Sequence, residues 1–179
     1  GLKLAGAAKA FNLNFRGKTV LDVGSSTGGF TDFALQHGAK KVYAVDVGTD
    51  QLHPSLRGNK RIELYEKTDI RYFVPSEIPD MVVIDVSFIS LRQILPYLAK
   101  IVDKNTMIIA MTKPQFEAQR QQLTRGGVVK NDGVRRAILR EFEQWARANF
   151  IIIDKVDSEV KGAHGNLERF YILRKAGSC

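Results

Sequence analysis

Seven short segments of the chain are rich in apolar and β-branched residues, and segments with helical spacing separate most of them. Two of these segments, 81–84 and 107–110, consist of apolar residues alone, which is typical of strands that are buried on both faces of a sheet. The segments predicted to form strands are 19–23, 41–45, 61–65, 81–86, 106–111, 150–156 and 169–173.

The predicted helices are 3–11, 30–37, 50–56, 90–101 and 134–149. Ser90 is a suitable N-cap for its helix, and Gly38 is a suitable stop after the helix before it. Strands that alternate with helices indicate an α/β fold. We therefore predict a doubly wound, seven-stranded and mostly parallel sheet with helices on both faces, whose ligand loops lie at the carboxyl ends of the strands.

The length of 179 residues suits one domain, 1–179. Because the first residue is Gly1 and not Met, we expect the chain to be a piece of a longer protein. No segment approaches the roughly 18 consecutive apolar residues of a membrane span, so no membrane partner is predicted. A single cysteine, Cys179, is consistent with a cytoplasmic protein, and the three histidines have no metal-ligand spacing.

The net charge of +8 favours a polyanionic partner, either nucleic acid or anionic lipid, over a generic soluble surface. Two basic clusters near the middle of the chain could form one face: Arg120, Arg125 and Lys130, followed by Arg135, Arg136 and Arg140. The first cluster lies in a segment of about twenty residues, 114–133, with little periodicity. Segments of this kind are often functional, so we predict either a lid or an RNA-contacting loop, with a disordered insertion as the alternative.

A glycine-rich turn, "DVGSSTGGF", follows the first predicted strand. Its spacing is neither the dinucleotide fingerprint nor a P-loop. The glycines allow a ligand close to the backbone, but Asp22, directly before the turn, would repel a pyrophosphate. This acid suits a ligand with a positive or hydrogen-bond-donating part, such as the amino acid moiety of S-adenosylmethionine.

Three further aspartates lie at the ends of the next predicted strands: Asp46 and Asp69 follow the second and third strands, and Asp85 lies at the end of the fourth. An acid after the second strand can accept hydrogen bonds from both ribose hydroxyls of a nucleoside, and one after the third can meet an adenine edge. Any one of them could instead be a helix cap or turn residue. Because all four acids are predicted at the same edge of the sheet, the series favours a nucleoside cofactor without phosphates.

Several motifs resemble the TlyA, or hemolysin A, family of ribosomal RNA methyltransferases, which is related to the FtsJ-type ribose 2′-O-methyltransferases. The motifs are "LDVGSSTGGFTD", "KVYAVDVG", "IDVSFISL", "KPQFEA", "GGVV" and "KGAHGNLE". The resemblance implies a Rossmann-like methyltransferase fold with S-adenosylmethionine as the methyl donor and ribosomal RNA, or a ribosomal subunit, as the partner. It also implies an S4-type RNA-binding domain upstream of this chain. The predicted cofactor site comprises Asp22, Gly24, Ser25, Ser26, Thr27, Gly28, Gly29, Phe30, Asp46, Val47, Asp69, Ile70 and Asp85.

The resemblance also implies a catalytic tetrad of Lys3, Asp85, Lys113 and Glu168. In the resulting hypothesis Lys113 lies nearest the ribose 2′-hydroxyl, and Asp85 and Glu168 orient it. Lys3 stabilises the developing oxyanion or holds a neighbouring phosphate. The alternatives are a solvated strand-end lysine, a helix cap, a surface glutamate and a helix-surface lysine.

Phe88 and Phe116 each follow a tetrad residue by three positions. They could stack on the target base or the cofactor, but core packing is the favoured interpretation for both.

The predicted function is therefore S-adenosylmethionine-dependent methylation of a ribose 2′-hydroxyl in ribosomal RNA. A small-molecule or protein substrate is an alternative, which the charge disfavours. A membrane-lytic protein is another, although the sequence contains no long amphipathic helix with a large apolar face. The last is a non-catalytic RNA-binding module that keeps the fold.

Overall fold

An inner strand of the sheet, β1 (Thr19–Val23), is buried along its whole length. It belongs to a seven-stranded sheet in a computed structural model that describes residues 1–177; Cys179 lies outside this range. The other strands are β2 (Lys41–Val45), β3 (Ile62–Tyr65), β4 (Met81–Ile84), β5 (Met107–Thr112), β6 (Phe150–Asp157) and β7 (Arg169–Lys175). The α-helices are α1 (Leu2–Phe11), α2 (Gly29–Gln36), α3 (Leu95–Ile101), α4 (Pro114–Glu117) and α5 (Asp132–Ala146).

The sheet has the strand order β3-β2-β1-β4-β5-β7-β6. Strands β1 to β5 are parallel to one another, and β7 is antiparallel to both of its neighbours, β5 and β6. The chain winds outward from β1 through β2 to β3, and then returns to the other side of β1 as β4. In such a sheet ligands bind outside the carboxyl ends of the strands where the winding direction reverses, here β1 and β4.

Apolar side chains cover both faces of the sheet. On one face Leu21 and Val82 pack with Leu95 of α3 and Phe142 of α5. On the other face Val20 and Val83 pack in a second apolar cluster, to which α1 and α2 also contribute. Because neighbouring residues of β1 and β4 are buried on opposite faces, both strands are mostly apolar, and Thr19 and Asp22 of β1 are the buried polar exceptions. The predicted fold class, a mostly parallel sheet with helices on both faces, is confirmed.

The predicted helix 50–56 is wrong, since only a short 3-10 turn, Pro54–Leu56, forms in this segment. Proline disfavours the α conformation in the residue before it, and His53 is accordingly extended. Asp50 has a left-handed backbone, with φ of 53°, which no α-helix accommodates.

The predicted helix 90–101 is divided in two. Ser90 caps a 3-10 turn, Leu91–Gln93, by accepting a hydrogen bond from the backbone N–H of Arg92. The α-helix begins only at Leu95, because Pro96 has no N–H to continue a helix from the preceding turn. The predicted Ser90 cap is therefore confirmed on a shorter element.

The segment 114–133 is structured and not a disordered insertion. It contains α4 and a 3-10 turn, Arg120–Gln122, followed by an antiparallel bridge between Leu123 and Val129. We call residues 123–129 the hairpin. Asn166 holds it at two points, because its Oδ1 accepts from Val129 N at 3.1 Å and its Nδ2 donates to Gly127 O at 3.3 Å.

Candidate active site

A cavity of about 420 Å³ opens at the carboxyl ends of β1, β2 and β4, where the winding direction reverses. Its polar walls come from the glycine turn and from three of the four predicted aspartates, and its apolar walls come from strand ends. The lining residues are Val23, Gly24, Ser26, Val45, Asp46, Val47, Gln51, Thr68, Asp69, Ile70, Asp85, Val86, Ser87, Phe88, Ile89 and Ile94. We call this space the nucleoside cavity.

The glycine turn leaves β1 through Gly24, whose backbone is left-handed with φ of 82°. A β-carbon at this position would overlap the carbonyl oxygen of Asp85, so the two strand ends lie in close contact. The backbone N–H groups of Gly24 and Ser25 both donate to the carbonyl of Val45, at 2.9 and 3.1 Å. The turn is thereby fixed against β2 and β4, and its backbone can approach a ligand closely.

Asp46 joins the glycine turn to the loop after β2. Its Oδ2 accepts from the backbone N–H of Ser26 at 2.7 Å, and its Oδ1 accepts from Gly48 N at 2.8 Å. Each carboxylate oxygen has two acceptor sites, so both oxygens keep capacity for a further donor. Asp46 is therefore oriented in advance for a pair of hydroxyl groups.

Asp69 also lines the nucleoside cavity, but its carboxylate is occupied by Arg71. These charge-assisted hydrogen bonds hold the pKa of Asp69 below its usual value. The side chain also caps the 3-10 turn Ile70–Tyr72 by accepting from the Arg71 N–H. The neighbouring Ile70 is buried and contributes an apolar wall.

Asp22 lies beneath the glycine turn and lines neither this cavity nor the one next to it. It is completely buried, and its Oδ2 accepts from Thr31 Oγ1 at 2.6 Å. Its Oδ1 has no hydrogen-bond partner among the described residues. Burial raises the pKa of the Asp22 carboxyl to about 7, and the charges of Asp85 and Asp46 add to this effect. Thr31, whose hydroxyl donates to Asp22, was not predicted from the sequence.

A second cavity, of about 370 Å³, shares Gly24, Ser26 and Asp85 with the first, so the two adjoin. We call it the acceptor cavity. It contains most of the remaining residues of the predicted turn, together with the first tetrad lysine. Its lining comprises Gly1, Leu2, Lys3, Gly24, Ser25, Ser26, Thr27, Gly29, Phe30, Asp85 and Val160. Gly28, the other predicted turn residue, is buried and faces Leu52 and Leu56 instead.

The four tetrad residues form two ion pairs. Lys113 Nζ lies 2.6 Å from Asp85 Oδ1 and donates to Ser87 Oγ at 2.9 Å. The Lys113 side chain is only 10% exposed, whereas Asp85 is 32% exposed. Because Asp85 lines both cavities, it stands at the junction between them, and Lys113, which lines neither cavity, is held beside this junction by the ion pair.

The second ion pair joins Lys3 of α1 to Glu168, with Nζ 2.8 Å from Oε1. Glu168 therefore orients Lys3, where the sequence-based hypothesis had it orienting Lys113. Its Oε2 accepts from Gln115 Nε2 at 3.3 Å, and the Glu168 side chain is 1% exposed. Gln115, which was not singled out from the sequence, thus links the segment after β5 to the second pair.

Phe88 does not belong to the core, contrary to the favoured interpretation. It is 90% exposed and has a left-handed backbone with φ of 63°. Its ring contacts that of Phe116, with 5.1 Å between the centroids. An exposed ring beside the Asp85–Lys113 pair is placed to stack on another aromatic group.

The predicted basic face is smaller than expected. Arg135 is buried, pairs with Asp157 at 2.6 Å and donates to the carbonyl of Leu167, so it is a structural residue. Arg136 pairs with Asp132. The exposed cations Arg120, Arg125 and Lys130 lie on or beside the hairpin, whose anchor Asn166 is two residues from Glu168.

The donor set suits S-adenosylmethionine better than a phosphate-bearing cofactor. None of the described residues that line the nucleoside cavity is Lys or Arg, and three are aspartates. Its volume lies in the usual range for a cofactor site, and apolar strand ends face the polar turn. The Oγ of Ser25, in the acceptor cavity, is buried and lacks a partner within residues 1–177.

The FtsJ-like methyltransferase family matches residues 1–176 of this chain. YqxC of Bacillus subtilis is 42% identical over 173 residues, which is 94% of this chain and 62% of that protein. The 23S rRNA (cytidine-2′-O)-methyltransferase TlyA of Campylobacter jejuni is 40% identical over 179 residues, which is 97% of this chain and 69% of that protein. The chain thus spans about two thirds of the length of these relatives.

A solved structure from Streptococcus thermophilus, described as a hemolysin, superposes with a TM-score of 0.94. It is 42% identical and covers 99% of this chain, which in turn spans 66% of it. Within residues 1–177 of the present chain, no helix combines the length and the apolar character that crossing a membrane requires.

Proposed function

The chain belongs to the FtsJ-like methyltransferase family, and from this we propose that the protein transfers a methyl group from S-adenosylmethionine to a ribose 2′-hydroxyl of ribosomal RNA. One observation carries the proposal: Asp85 lines both cavities and holds Lys113 at their junction. The names of the TlyA relatives, which specify a cytidine 2′-oxygen of ribosomal RNA, support this choice of acceptor.

The nucleoside cavity would hold the cofactor, which supplies an electrophilic methyl group when bound. Asp46 would accept hydrogen bonds from the ribose hydroxyls, because both of its oxygens are already oriented by backbone donors. Val45, Val86 and Ile94 offer apolar walls to the base. The backbone of Gly24 allows the cofactor to approach closely, since glycine has no side chain.

Lys113 is the residue that acts on the acceptor. The Lys113 Nζ can make three hydrogen bonds, and Asp85 and Ser87 occupy two of these sites. The third is available to the 2′-hydroxyl. Lys113 would orient the 2′-hydroxyl and, in its deprotonated form, take up the hydroxyl proton as the carbon–sulfur bond of S-adenosylmethionine breaks and S-adenosylhomocysteine leaves. Asp85 then stabilises the ammonium that results.

Lys3 supplies a second positive charge to the acceptor cavity. Glu168 fixes its position, and Gln115 in turn donates a hydrogen bond to Glu168. A charge that is held in place before the reaction stabilises negative charge on the attacking oxygen at little reorganisation cost. This arrangement favours a catalytic domain over an RNA-binding module, which has no need of two partly buried ion pairs beside a cofactor-sized cavity.

The RNA would meet the protein through the exposed groups around this junction. Phe88 offers its ring to an unstacked base, as is usual in the recognition of single-stranded RNA. The exposed cations beside the hairpin offer contacts to phosphates. A small uncharged substrate would use neither feature, and so the two together favour RNA.

The test replaces Lys113 by Ala and follows methyl transfer from S-adenosylmethionine to rRNA from cells that lack the protein. We expect the rate to fall about 10²- to 10⁴-fold, the range that a positioned proton acceptor usually contributes. Lys104→Ala is the matched control, because Lys104 is exposed and precedes β5 at the opposite edge of the sheet. Mass spectrometry of digested RNA would identify the methylated atom.

Wild-type methylation of a base instead of a ribose would contradict the proposed acceptor. Unchanged methylation by the Lys113→Ala variant would contradict the proposed role of Lys113.

A further inference from the structure

Two segments beside the junction face each other across the sheet's edge. Residues 85–92 follow β4, and residues 113–117 follow β5. Three kinds of contact join them in sequence: the Asp85–Lys113 ion pair, the Phe88–Phe116 ring contact, and a set of hydrogen bonds to Glu117. The proposed catalytic pair therefore lies at one end of this series and Glu117 at the other.

Glu117 makes all its side-chain hydrogen bonds to the opposite segment. Its Oε1 accepts from Ser90 Oγ at 2.6 Å and from Arg92 at 2.7 Å, while its Oε2 accepts from the backbone N–H of Leu91 at 2.8 Å. Its side chain is 1% exposed. Burial raises the pKa of the Glu117 carboxyl, and the three donors oppose this effect. A carboxylate so far from water needs all of these donors to be tolerated.

The opposite segment needs such an anchor, because it contains Phe88. A left-handed backbone at a residue that is not glycine costs about 1–3 kcal/mol and persists only where neighbouring structure imposes it. The Phe88 side chain is almost fully exposed, so burial of the ring does not offset this cost. The hydrogen bonds from Ser90, Leu91 and Arg92 to Glu117 fix the backbone two to four residues after Phe88.

Arg92 connects the same anchor to α5. Its guanidinium lies 5.7 Å from the ring centroid of Phe142 and 5.9 Å from that of Trp145. Trp145 is the single tryptophan of the chain. Its fluorescence therefore reports whether Arg92 keeps its position when Glu117 is changed.

We propose that Glu117 is a positioning residue for methyl transfer, which acts through Ser90, Leu91 and Arg92 to hold Asp85 and Phe88 opposite Lys113 and Phe116. This inference rests on the proposed function. Glu117 does not touch the reacting atoms. It determines whether the two segments meet in the arrangement that the reaction requires.

The test is Glu117→Gln, which keeps the size of the side chain but replaces one acceptor oxygen by an NH₂ donor. We expect kcat for rRNA methylation to fall about 10- to 100-fold, because a small misplacement of the reacting groups lowers the rate of the chemical step. The KM values for S-adenosylmethionine and RNA should change less than about threefold. Trp145 emission should change as Arg92 is released. Glu141→Gln is the matched control, since Glu141 lies exposed on α5.

Arg92→Ala should also lower kcat. In the double variant with Glu117→Gln, the fold decrease in kcat should be smaller than the product of the two single decreases, because both residues belong to one hydrogen-bond network. Wild-type kcat in Glu117→Gln would overturn the proposal. The proposal would also be overturned if the decrease in kcat equalled the decrease in the fraction of folded protein, measured by thermal unfolding. Absence of methylation by the wild-type protein would instead refute the proposed function.

Discussion

Asp22 combines complete burial with a carboxyl pKa that burial raises to about 7. The unfolded chain would titrate near the ordinary value of 3.8. Between these two pKa values the folded state binds more protons than the unfolded state. The free energy of unfolding must therefore fall as the pH rises through this window.

We predict that Asp22→Asn removes this pH dependence. In the wild-type protein, Asp22 alone should lower the free energy of unfolding by up to about 1.4 kcal/mol per pH unit between about pH 4 and 7, the value for one full proton. The variant cannot ionise, so its curve should lack this component. Chemical denaturation at several pH values measures the difference between the two proteins.

Asp50→Asn is the control, because Asp50 has a side chain that is 87% exposed and Asn tolerates its left-handed backbone. Its pH dependence should follow that of the wild type. Parallel curves for the wild type and Asp22→Asn would show that Asp22 is ionised in the folded state throughout this range.

Single residues also show what the sequence could not reveal. The four aspartates could be identified from their positions at or just after the ends of predicted strands, because the carboxyl ends of parallel strands share one edge. The partners of the site residues could not be identified, since Thr31, Ser87 and Gln115 contact Asp22, Lys113 and Glu168, respectively, only after the sheet has formed. The pairing of Glu168 with Lys3 joins residues 165 positions apart, and no local pattern encodes it.

At the scale of elements, the turn between β1 and α2 is held by contacts of its backbone. Gly24 has φ of 82°, and any β-carbon would overlap the Asp85 carbonyl. The strands were predicted to within a few residues, because buried strands are mostly apolar and β-branched. Helices were predicted less well where proline interrupted an otherwise suitable pattern, as at Pro54 and Pro96.

We predict that Gly24→Ala destabilises the protein and weakens cofactor binding together. The overlap must push β1 away from the Asp85 segment, which forms a wall of both cavities. The dissociation constant for S-adenosylmethionine, measured by calorimetry, should rise at least about tenfold, which corresponds to about 1.4 kcal/mol. The midpoint of thermal unfolding should fall by several degrees, since left-handed alanine alone costs about 1 kcal/mol or more.

Gly17→Ala separates the two causes. Gly17 also has a left-handed backbone, with φ of 71°, but nothing lies within 4 Å of an added β-carbon. This variant should show the backbone cost without the change in cofactor affinity. Equal effects of the two substitutions on cofactor binding would mean that contact with Asp85 is unimportant.

At the scale of the whole molecule, the net charge of +8 is unevenly distributed over the described surface. Several basic residues serve structure, among them Arg135, Arg169 and Lys155, which surround the acids Glu143 and Asp157. The exposed cations beside the hairpin have no such role. The charge count alone predicted a polyanionic partner, but only the fold separates structural cations from those available to RNA.

We predict that replacing Arg120, Arg125 and Lys130 by Ala weakens RNA binding and reduces its salt dependence. Each phosphate contact contributes about 0.7 to 0.9 to the slope of log K against log salt concentration, so three lost contacts should lower the slope by about 2. Titration of labelled rRNA fragments at several salt concentrations measures it. The methylation rate at saturating RNA should change little, since these residues lie outside the two cavities.

The control removes the same charge elsewhere, with Lys40, Lys100 and Lys104 replaced by Ala. All three are exposed and precede β2 or β5, at the edge of the sheet opposite the cavities. If net charge alone attracts RNA, both triple variants should lose affinity equally over the whole salt range. If the exposed cations beside the hairpin contact the phosphates, only the variant of Arg120, Arg125 and Lys130 should show a smaller slope of log K against log salt concentration. The number of counterions released depends on direct phosphate contacts and not on the total charge.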